Sequence, residues 1–365
     1  MMTAKQGALD ILVLEGDGIG PEITAATLAV LRAADAKFTL GLSFSKADIG
    51  WAAHRAGGTT FPDAVEARAK AAAGLLLGPV SHNDYPPRTE GGLNPSGELR
   101  KRLDLYANVR PARSRPGFPP RCGVPVDLII FRENTEGFYA DRTMFAGTGE
   151  FMPTPDLAMA MRKVTRHGST RIVEAAFKEA MQRPRKLVTA VHKSNVLRIS
   201  DGLFLECARE VAARYPQVTY QEQLIDSMAA LLIRDASAFD VIVTTNMFGD
   251  ILSDEATEIS GSIGLAASLN AGADYAVAQA QHGSAPDIAG KNIANPSSLI
   301  GSAAMLLAWL GERRGEGNLL QAARAIEATL DRVIATPDGR TADMGGKLGT
   351  DAFGVRVAEA LKAAP

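Results

Sequence analysis

Val241-Ile242-Val243-Thr244-Thr245-Asn246-Met247-Phe248-Gly249-Asp250-Ile251-Leu252-Ser253-Asp254-Glu255 reads as a strand, a turn and the start of a helix. The β-branched Val241-Ile242-Val243, following Phe239-Asp240, predicts a short buried strand. Asn246 and Gly249 read as turn residues. Asp250 opens a helical pattern, with Asp254 one turn further on. That spacing puts both carboxylates on one helix face, with Cβ atoms roughly 5–6 Å apart. A hard divalent cation such as Mg²⁺ or Mn²⁺ relieves the repulsion, because it prefers carboxylate and water oxygens. A solvated acidic helix start, where aspartate complements the dipole, explains the same residues. Both readings stand at this point.

Outward from that stretch, strands and helices alternate. Ile11–Leu14 is a buried strand, Glu15–Gly20 a glycine-rich turn, and Pro21-Glu22 starts a helix. Phe38–Ser45 can form a second strand, Pro62–Ala73 a helix and Leu75–Gly78 a third strand. This alternation predicts an α/β parallel sheet. Ser81–Gly97 is a long polar loop directly after a strand end, where open α/β sheets place ligands. Further strands are expected at Leu105–Val109, Val126–Phe131, Lys186–Val191 and Val218–Leu224. Helices are expected at Pro155–Met181, Asp201–Arg214, Ser227–Ile233, Ser297–Leu310, Leu319–Ile334 and Thr350–Ala363. Ile259–Leu269, rich in Gly and Ser, suits a crossing between layers.

Size and composition narrow the function classes. A chain of 365 residues suits two domains, and 46% hydrophobic with 22% charged residues supports a sizeable core. Thirty-nine basic against 41 acidic residues argue against a dedicated nucleic-acid or membrane-surface binder. Cys122 and Cys207 lie far apart with no C-x-x-C, which fits a reducing cytoplasm better than a disulfide scaffold or zinc site. Asp10 and Glu15 interrupt the apolar stretch after Lys5, so no signal peptide is expected. The run Ser298–Leu310 is too short to span a bilayer.

Gly16-Asp17-Gly18-Ile19-Gly20-Pro21 invites a dinucleotide-binding label, but its spacing is G-x-G-x-G with proline at the expected third glycine. A turn and helix start is the better reading, and a classical Rossmann fold is not expected. Arg100 and Arg110 flank a helix-to-strand passage, and Arg132 ends a strongly apolar strand. A guanidinium there is costly unless it meets an anion, and its planar fork suits a carboxylate or phosphate. Ordinary surface ion pairing is the alternative. Three such arginines in a near-neutral chain favour a small polyanion.

Gly16–Glu22, Leu103–Pro111, Arg132–Tyr139, His192–Asn195, Asn246–Asp254 and His282–Pro296 together resemble, in the same order, the β-decarboxylating dehydrogenases of 3-substituted malates. That family includes isocitrate, 3-isopropylmalate, homoisocitrate and tartrate/D-malate dehydrogenases. The resemblance covers nearly the whole chain and is closest to the homoisocitrate and isopropylmalate enzymes around Arg132 and Lys193. It implies an isopropylmalate-dehydrogenase-like two-domain α/β fold with a central cleft and domain closure. Residues 1–105 with 260–365 would form a large domain carrying the cofactor loop, and 106–259 a smaller inserted one carrying the dimer interface and metal aspartates.

The resemblance further implies that Arg100, Arg110 and Arg132 clamp the malate carboxylates, and that Tyr139 and Lys193 are catalytic. Asp250 and Asp254 bind Mg²⁺ or Mn²⁺ with Asp226, which comes from a second subunit together with Lys193. The active site is thus expected to be shared across a homodimer. His282, Gly283, Ser284, Ala285, Asp287, Ile288 and Asn295 match the cofactor loop. Asp287 would accept from a ribose diol and repel a 2′-phosphate, which implies NAD. The implied chemistry is hydride transfer from C2 with Lys193 and Asp226 handling the hydroxyl proton, loss of CO₂, and protonation of the enol by Tyr139.

Two departures bear on substrate. Asn94 and Ser96 stand six and four residues before Arg100, where the family sets substrate choice. Their polarity disfavours an isopropyl group and favours a polar 3-substituent, as in isocitrate or homoisocitrate. Tartrate or D-malate is the alternative. Gln279-Ala280-Gln281 precedes His282 where most members have Glu-Pro-Val, replacing a carboxylate near the nicotinamide. A catalytically silent regulatory subunit is disfavoured because the tyrosine, the lysine and the aspartates are all present. A nucleotide-binding module without chemistry would bind NAD with no metal dependence. No nucleic-acid or membrane partner is expected, and the cytoplasm is the expected location.

Overall fold

The computed structural model describes residues 8–139, 144 and 147–364; Lys5 lies outside them. Along the chain come strand β1 (Leu9–Leu14), helix α1 (Gly20–Phe38), β2 (Leu42–Lys46), α2 (Gly50–Gly57), α3 (Asp63–Ala71), β3 (Gly74–Leu77) and α4 (Pro95–Arg102). Next are β4 (Ala107–Arg113), β5 (Asp127–Glu133), β6 (Glu150–Thr154), β7 (Leu157–Ala160) and α5 (Arg166–Gln182). They are followed by β8 (Leu187–His192), α6 (Ser200–Ala212), β9 (Thr219–Leu224), α7 (Ile225–Asp235), β10 (Val241–Thr244) and α8 (Asn246–Ser260). The chain closes with β11 (Leu269–Ala271), β12 (Ala276–Gln279), α9 (Ser297–Arg314), α10 (Gly317–Ile334) and α11 (Thr350–Ala363). Among the described residues, no helix is long and apolar enough to cross a membrane.

The chain divides into two units. The first comprises Met1–Arg102, Ile263–Leu269 and Asp274–Pro365; the second comprises Leu103–Ser262 and Asn270–Ala273. In the first, β1 pairs in parallel with β2 and β3, and β3 with β12. Leu12, Val13 and Leu14 of β1 and Leu75 and Leu76 of β3 are all but sealed from solvent. Such continuous apolar runs are the mark of parallel strands covered on both faces. Around them, α1 packs on α11 and α9, and α9 on α10 and β12.

In the second unit, β10 lies between β5 and β8, and β8 pairs with β9, all in parallel; β4 runs antiparallel to β5. The two-residue period of a strand sorts the core into two layers. Ile129, Phe131, Val241 and Val243 pack with Val173 and Phe177 of α5 and Phe204 of α6. Leu128, Ile130 and Ile242 face the other way, onto Met228 and Leu232 of α7 and Leu252 and Ala256 of α8. A parallel β10 covered on both sides needs the apolar run that the sequence supplies.

The structure corrects several boundaries. The helix expected over Pro155–Met181 begins only at Arg166, where the Thr165 hydroxyl accepts from the Gly168 amide at 3.0 Å. Before it, β6 and β7 form an antiparallel hairpin about Pro155-Asp156, whose turn chemistry outweighs the helical pattern. Phe38 closes α1 instead of opening a strand, because Thr39 and Gly41 adopt left-handed φ and end the helix. The polar loop after β3 gives way at Pro95 to α4, and α2 lies where no element was expected. Leu105 precedes β4, which runs on to Arg113. Short polar helices like α4 bury too few apolar residues to show a period.

The most instructive correction concerns Asn246 and Gly249. Neither is a turn residue, because α8 follows β10 after one residue and both lie in its first turn. Gly249 is small for a packing reason: a Cβ there would stand 2.7 Å from Cβ and Cγ of Arg132. Gly249→Ala is therefore expected to lower stability by about 1–3 kcal/mol through overpacking, although alanine is the better helix former. Urea unfolding with no shift in midpoint would contradict this.

Candidate active site

β5 and β10 run side by side in parallel, with Thr244 level with Arg132. The strand leads the Arg132 guanidinium under the first turn of α8. Only 2% of Arg132 is exposed. Its Nε donates to the Asn246 carbonyl at 2.9 Å and Nη2 to Asn246 Oδ1 at 2.8 Å. Its Nη1 makes a short ion pair with Asp250 Oδ1. Arg110, on β4, is also buried. Its Nε donates to Asn108 Oδ1 at 2.6 Å and its Nη1 to Ser253 Oγ at 2.6 Å. The same Nη1 lies 3.1 Å from Asp250 Oδ1 and 3.4 Å from Asp254 Oδ1. The two aspartates, one turn apart on α8, thus aim oxygens at one point while remaining 43% and 54% exposed.

Two guanidiniums brought this close perturb each other. Burial pushes Arg110 down to about 10, the charge of Arg132 adds to the fall, and Asp250 and Asp254 oppose it. It remains a cation at neutral pH. Asn108 is fixed in turn by Asn270, whose Oδ1 accepts from Asn108 Nδ2 at 2.7 Å and from Asn134 Nδ2 at 2.9 Å. Glu133 takes the Thr135 and Glu136 amides at 2.9 and 2.7 Å, which shapes the segment leading to half-buried Tyr139.

Lys193 and Asp226 form a second cluster. Lys193 Nζ lies 2.6 Å from Asp226 Oδ1. That hydrogen bond, reinforced by the backbone amides at the start of α7, holds the Asp226 carboxyl below its ordinary range. The Lys193 amide donates to fully buried Asp201 at 2.6 Å. Asp201 also pairs with Arg162, whose Nη2 donates to Thr245 Oγ1 at 2.8 Å at the entrance to α8. Among the described residues of one chain, no group of three metal-binding side chains assembles. Asp226 answers Lys193 within its own chain.

In the first unit, Asn94 Oδ1 accepts from the Gly97 amide at 3.1 Å and so caps α4. Ser96 Oγ donates to Gln279 Oε1 at 2.9 Å, and Arg100 stands one turn beyond Ser96 on the same helix. The cofactor-loop residues lie between β12 and α9. His282 Nδ1 is 3.0 Å from the Gly283 carbonyl, while its Nε2 is buried with no hydrogen-bond partner among the described residues. Burial pushes this imidazole down. Ser284 is buried, its carbonyl accepting the Ile19 amide at 2.9 Å and its hydroxyl 2.7 Å from Ser81 Oγ. Ala285 has φ +39°, which leads into the short turn Pro286–Ile288 with Asp287 exposed and Ile288 half-buried. Asn295 is committed to the chain, accepting from Ser297 and donating to Asp343, both at 3.0 Å. Gly283 is exposed.

Several residues of these clusters escaped the sequence. Ser253 and Asn108 are small polar residues with no pattern of their own. Asp201 resembles any acid at a helix start, and Arg162 any surface arginine. Only their burial, at 0% and 9% side-chain exposure, marks them as structural.

The family model described as isocitrate/isopropylmalate dehydrogenase matches residues 10–357. The isocitrate/homoisocitrate dehydrogenase of Thermus thermophilus is 43% identical over 97% of this chain and 99% of its own. The 3-isopropylmalate dehydrogenase of Methanothermobacter thermautotrophicus is 40% identical over the same shares. Among solved structures, the isocitrate dehydrogenase from Methylococcus capsulatus superposes with a TM-score of 0.85 at 38% identity, covering 97% of this chain and 99% of that one.

The Lys193–Asp226 bond makes a direct prediction. A carboxyl held below its ordinary range is charged at lower pH than in the unfolded chain. Its contribution to stability is present above the unfolded value and lost as pH falls through the folded one. Lys193→Met is expected to move the Asp226 titration upward in carboxyl-resolved NMR. An unchanged midpoint would show that the pair does not hold in solution.

Proposed function

The chain belongs to the isocitrate/isopropylmalate dehydrogenase family, oxidatively decarboxylating dehydrogenases that use a nicotinamide cofactor and a divalent metal, and we propose that it oxidises a 3-substituted malate with a polar 3-substituent, using NAD⁺ and Mg²⁺ or Mn²⁺. One observation carries the proposal: a single guanidinium nitrogen of Arg110 reaches carboxylate oxygens of both Asp250 and Asp254. A donor set that converges on one cationic nitrogen suits a hard cation at nearly the same point. The sealed, unpartnered His282 Nε2 and the anchored loop that follows it suit a cofactor base in the same way.

Asp250 and Asp254, with Asp226 of the partner subunit, would hold the cation, and the bound cation and NAD⁺ supply Lewis acidity and a hydride acceptor. Arg110 and Arg132 bind substrate carboxylate through their remaining donors, and Arg100 is assigned the same task. Their forks fix the plane of each carboxylate and so orient the bond that breaks as CO₂ leaves. The partner's Lys193 takes the proton of the C2 hydroxyl, with the partner's Asp226 holding its ammonium in place. Tyr139 returns a proton to the carbon that has lost CO₂. Asp287 accepts from the adenosine ribose diol and repels a 2′-phosphate, which supports NAD over NADP. A homodimer with shared sites is part of the proposal. It is supported by the exposed apolar side chains of Phe151, Met152, Ile233 and Ile251 in the second unit.

Purified protein is expected to reduce NAD⁺ with Mn²⁺ and at least one of isocitrate, homoisocitrate, isopropylmalate, tartrate or D-malate, polar 3-substituents leading. Silence toward the whole panel would mark a regulatory subunit. Asp250→Ala should lower turnover by about 10³-fold or more while leaving the dissociation constant for NAD⁺ within about threefold. Equal kcat/KM for NAD⁺ and NADP⁺ would refute the role given to Asp287.

A further inference from the structure

Asp201 and Arg162 form an ion pair sealed inside the second unit. Asp201 is the second residue of α6 and fully buried, and the Arg162 side chain is 9% exposed. An acid at a helix start ordinarily serves its own helix, as a cap or against the dipole. Here α6 has no side-chain cap, and both oxygens of Asp201 are spent elsewhere. Oδ2 accepts the Lys193 amide at 2.6 Å, and Oδ1 meets Arg162 Nη1 at 2.5 Å. Arg162 Nη1 also donates to Ser200 Oγ at 3.0 Å, and Nη2 to Thr245 Oγ1 at 2.8 Å. Thr245 stands at the N-cap of α8, yet its hydroxyl caps no amide there. Two helices thus forgo a cap at the point where the start of α8 is tied to the backbone of Lys193.

Lys193 comes directly after the last ladder pair of β8, His192 with Leu224. Its carbonyl accepts from the Val196 and Leu197 amides, so the chain turns at once, and its own amide is held by Asp201. At the far end of the side chain, Nζ is held by Asp226. A lysine stem is long and flexible, and its reach is set by where its backbone stands. The carboxylate at position 201 suits this duty because it accepts on two sides at once. An asparagine there would have one oxygen for two donors, Arg162 and the amide. With Arg162 gone, that oxygen would be free for the amide, whereas a leucine would have none to offer.

We infer that Asp201, braced by Arg162, is a positioning residue for the proposed reaction: it fixes the Lys193 backbone, and so the point from which that lysine takes the proton of the C2 hydroxyl. This rests on the function proposed above and deepens it. Because Lys193 is assigned to the partner's site, the effect of Asp201 is felt there, and not in the site built on its own Asp250 and Asp254.

The test compares Arg162→Met/Asp201→Asn with Arg162→Met/Asp201→Leu, each purified as the full-length dimer and assayed with NAD⁺, Mn²⁺ and whichever malate of the panel above the wild type oxidises best. Both variants remove the two buried charges together, so no guanidinium is left unpaired. The leucine variant should have a kcat about tenfold or more below the asparagine variant, with KM for the malate and the dissociation constant for NAD⁺ within about threefold. Mixed dimers, isolated through two different affinity tags, locate the loss. The leucine variant joined to Asp250→Ala holds one whole site and should regain about half the kcat of the asparagine variant. Joined to Lys193→Met it should regain nothing. Equal kcat in the two variants, a loss carried by KM, or recovery with Lys193→Met in place of Asp250→Ala would overturn the inference. Failure of either variant to form dimers would make the pair a matter of folding and overturn it too. Lys193→Met joined to Asp250→Ala is the control: no activity there, or a wild type inactive on every malate, would instead overturn the reading beneath.

Discussion

A positive charge that cannot reach water governs the second unit. Arg132 is among its largest fully buried side chains. A buried guanidinium is tolerable only when its donors and its charge are both answered. The answer comes from one short piece of chain, the start of α8, through the carbonyl and side chain of Asn246 and the carboxylate of Asp250. This fixes several things together. The helix must begin at Asn246, directly after β10. Position 249 must be small, because the arginine stem passes beneath it. Asp250 and Asp254 must point toward the arginines and away from the layer formed by Leu252 and Ala256. The metal-type carboxylates are placed by the burial of the arginine, and the donors of the arginine are answered by Asn246 and Asp250.

The first unit solves a different problem, that of holding an irregular loop still without regular hydrogen bonding. Gly18 has φ +57°, and a Cβ there would stand 2.0 Å from the Ser284 carbonyl oxygen. The glycine-rich turn after β1 therefore has its close approach to the chain's own backbone. It receives Ser284 where a dinucleotide fold would receive a pyrophosphate. Asp17 within this turn is buried and accepts from the Trp51 amide at 2.8 Å and the Ser81 amide at 3.0 Å. At the far end, Asn292 in a left-handed conformation exchanges hydrogen bonds with Asp351 at the start of α11. The loop is thus held at both ends, and its exposed middle presents Asp287. Backbone ordered in advance lowers the cost of ordering a ligand against it.

Much of this was legible in the residues, for a physical reason. Buried parallel strands write themselves as continuous apolar runs, which is why β1, β3, β5, β8 and β10 could be located from sequence. The long helices α9, α10 and α11 carry the helical period. What stayed hidden is polar and short. α2 and α4 bury few apolar side chains, and the β6–β7 hairpin buries none of its residues, so neither period nor hydrophobicity announces them. Site residues were legible when an expensive group sat in an apolar context, as Arg132 does after Ile129-Ile130-Phe131. The residues that satisfy such groups, Asn246, Ser253, Asn108 and Asp201, are individually ordinary. Their meaning lies in whom they face, and facing is not written in spacing. The turn reading of Gly249 failed on this point: the glycine answers to a side chain more than a hundred positions away.

Charge balance adds a last constraint on the proposed chemistry. Arg110 and Arg132 set against Asp250 and Asp254 make a neutral cluster in the free chain. A doubly charged cation added alone would leave two uncompensated positive charges beside guanidiniums, one of which is already pushed down by burial and by its neighbour. A malate dianion added alone would leave two negative charges facing the aspartates. Together the two restore neutrality, so each should favour the binding of the other, and reciprocally by linkage. Asp250 and Asp254 remain 43% and 54% exposed, so water screens part of this coupling, and it acts most on the buried guanidiniums.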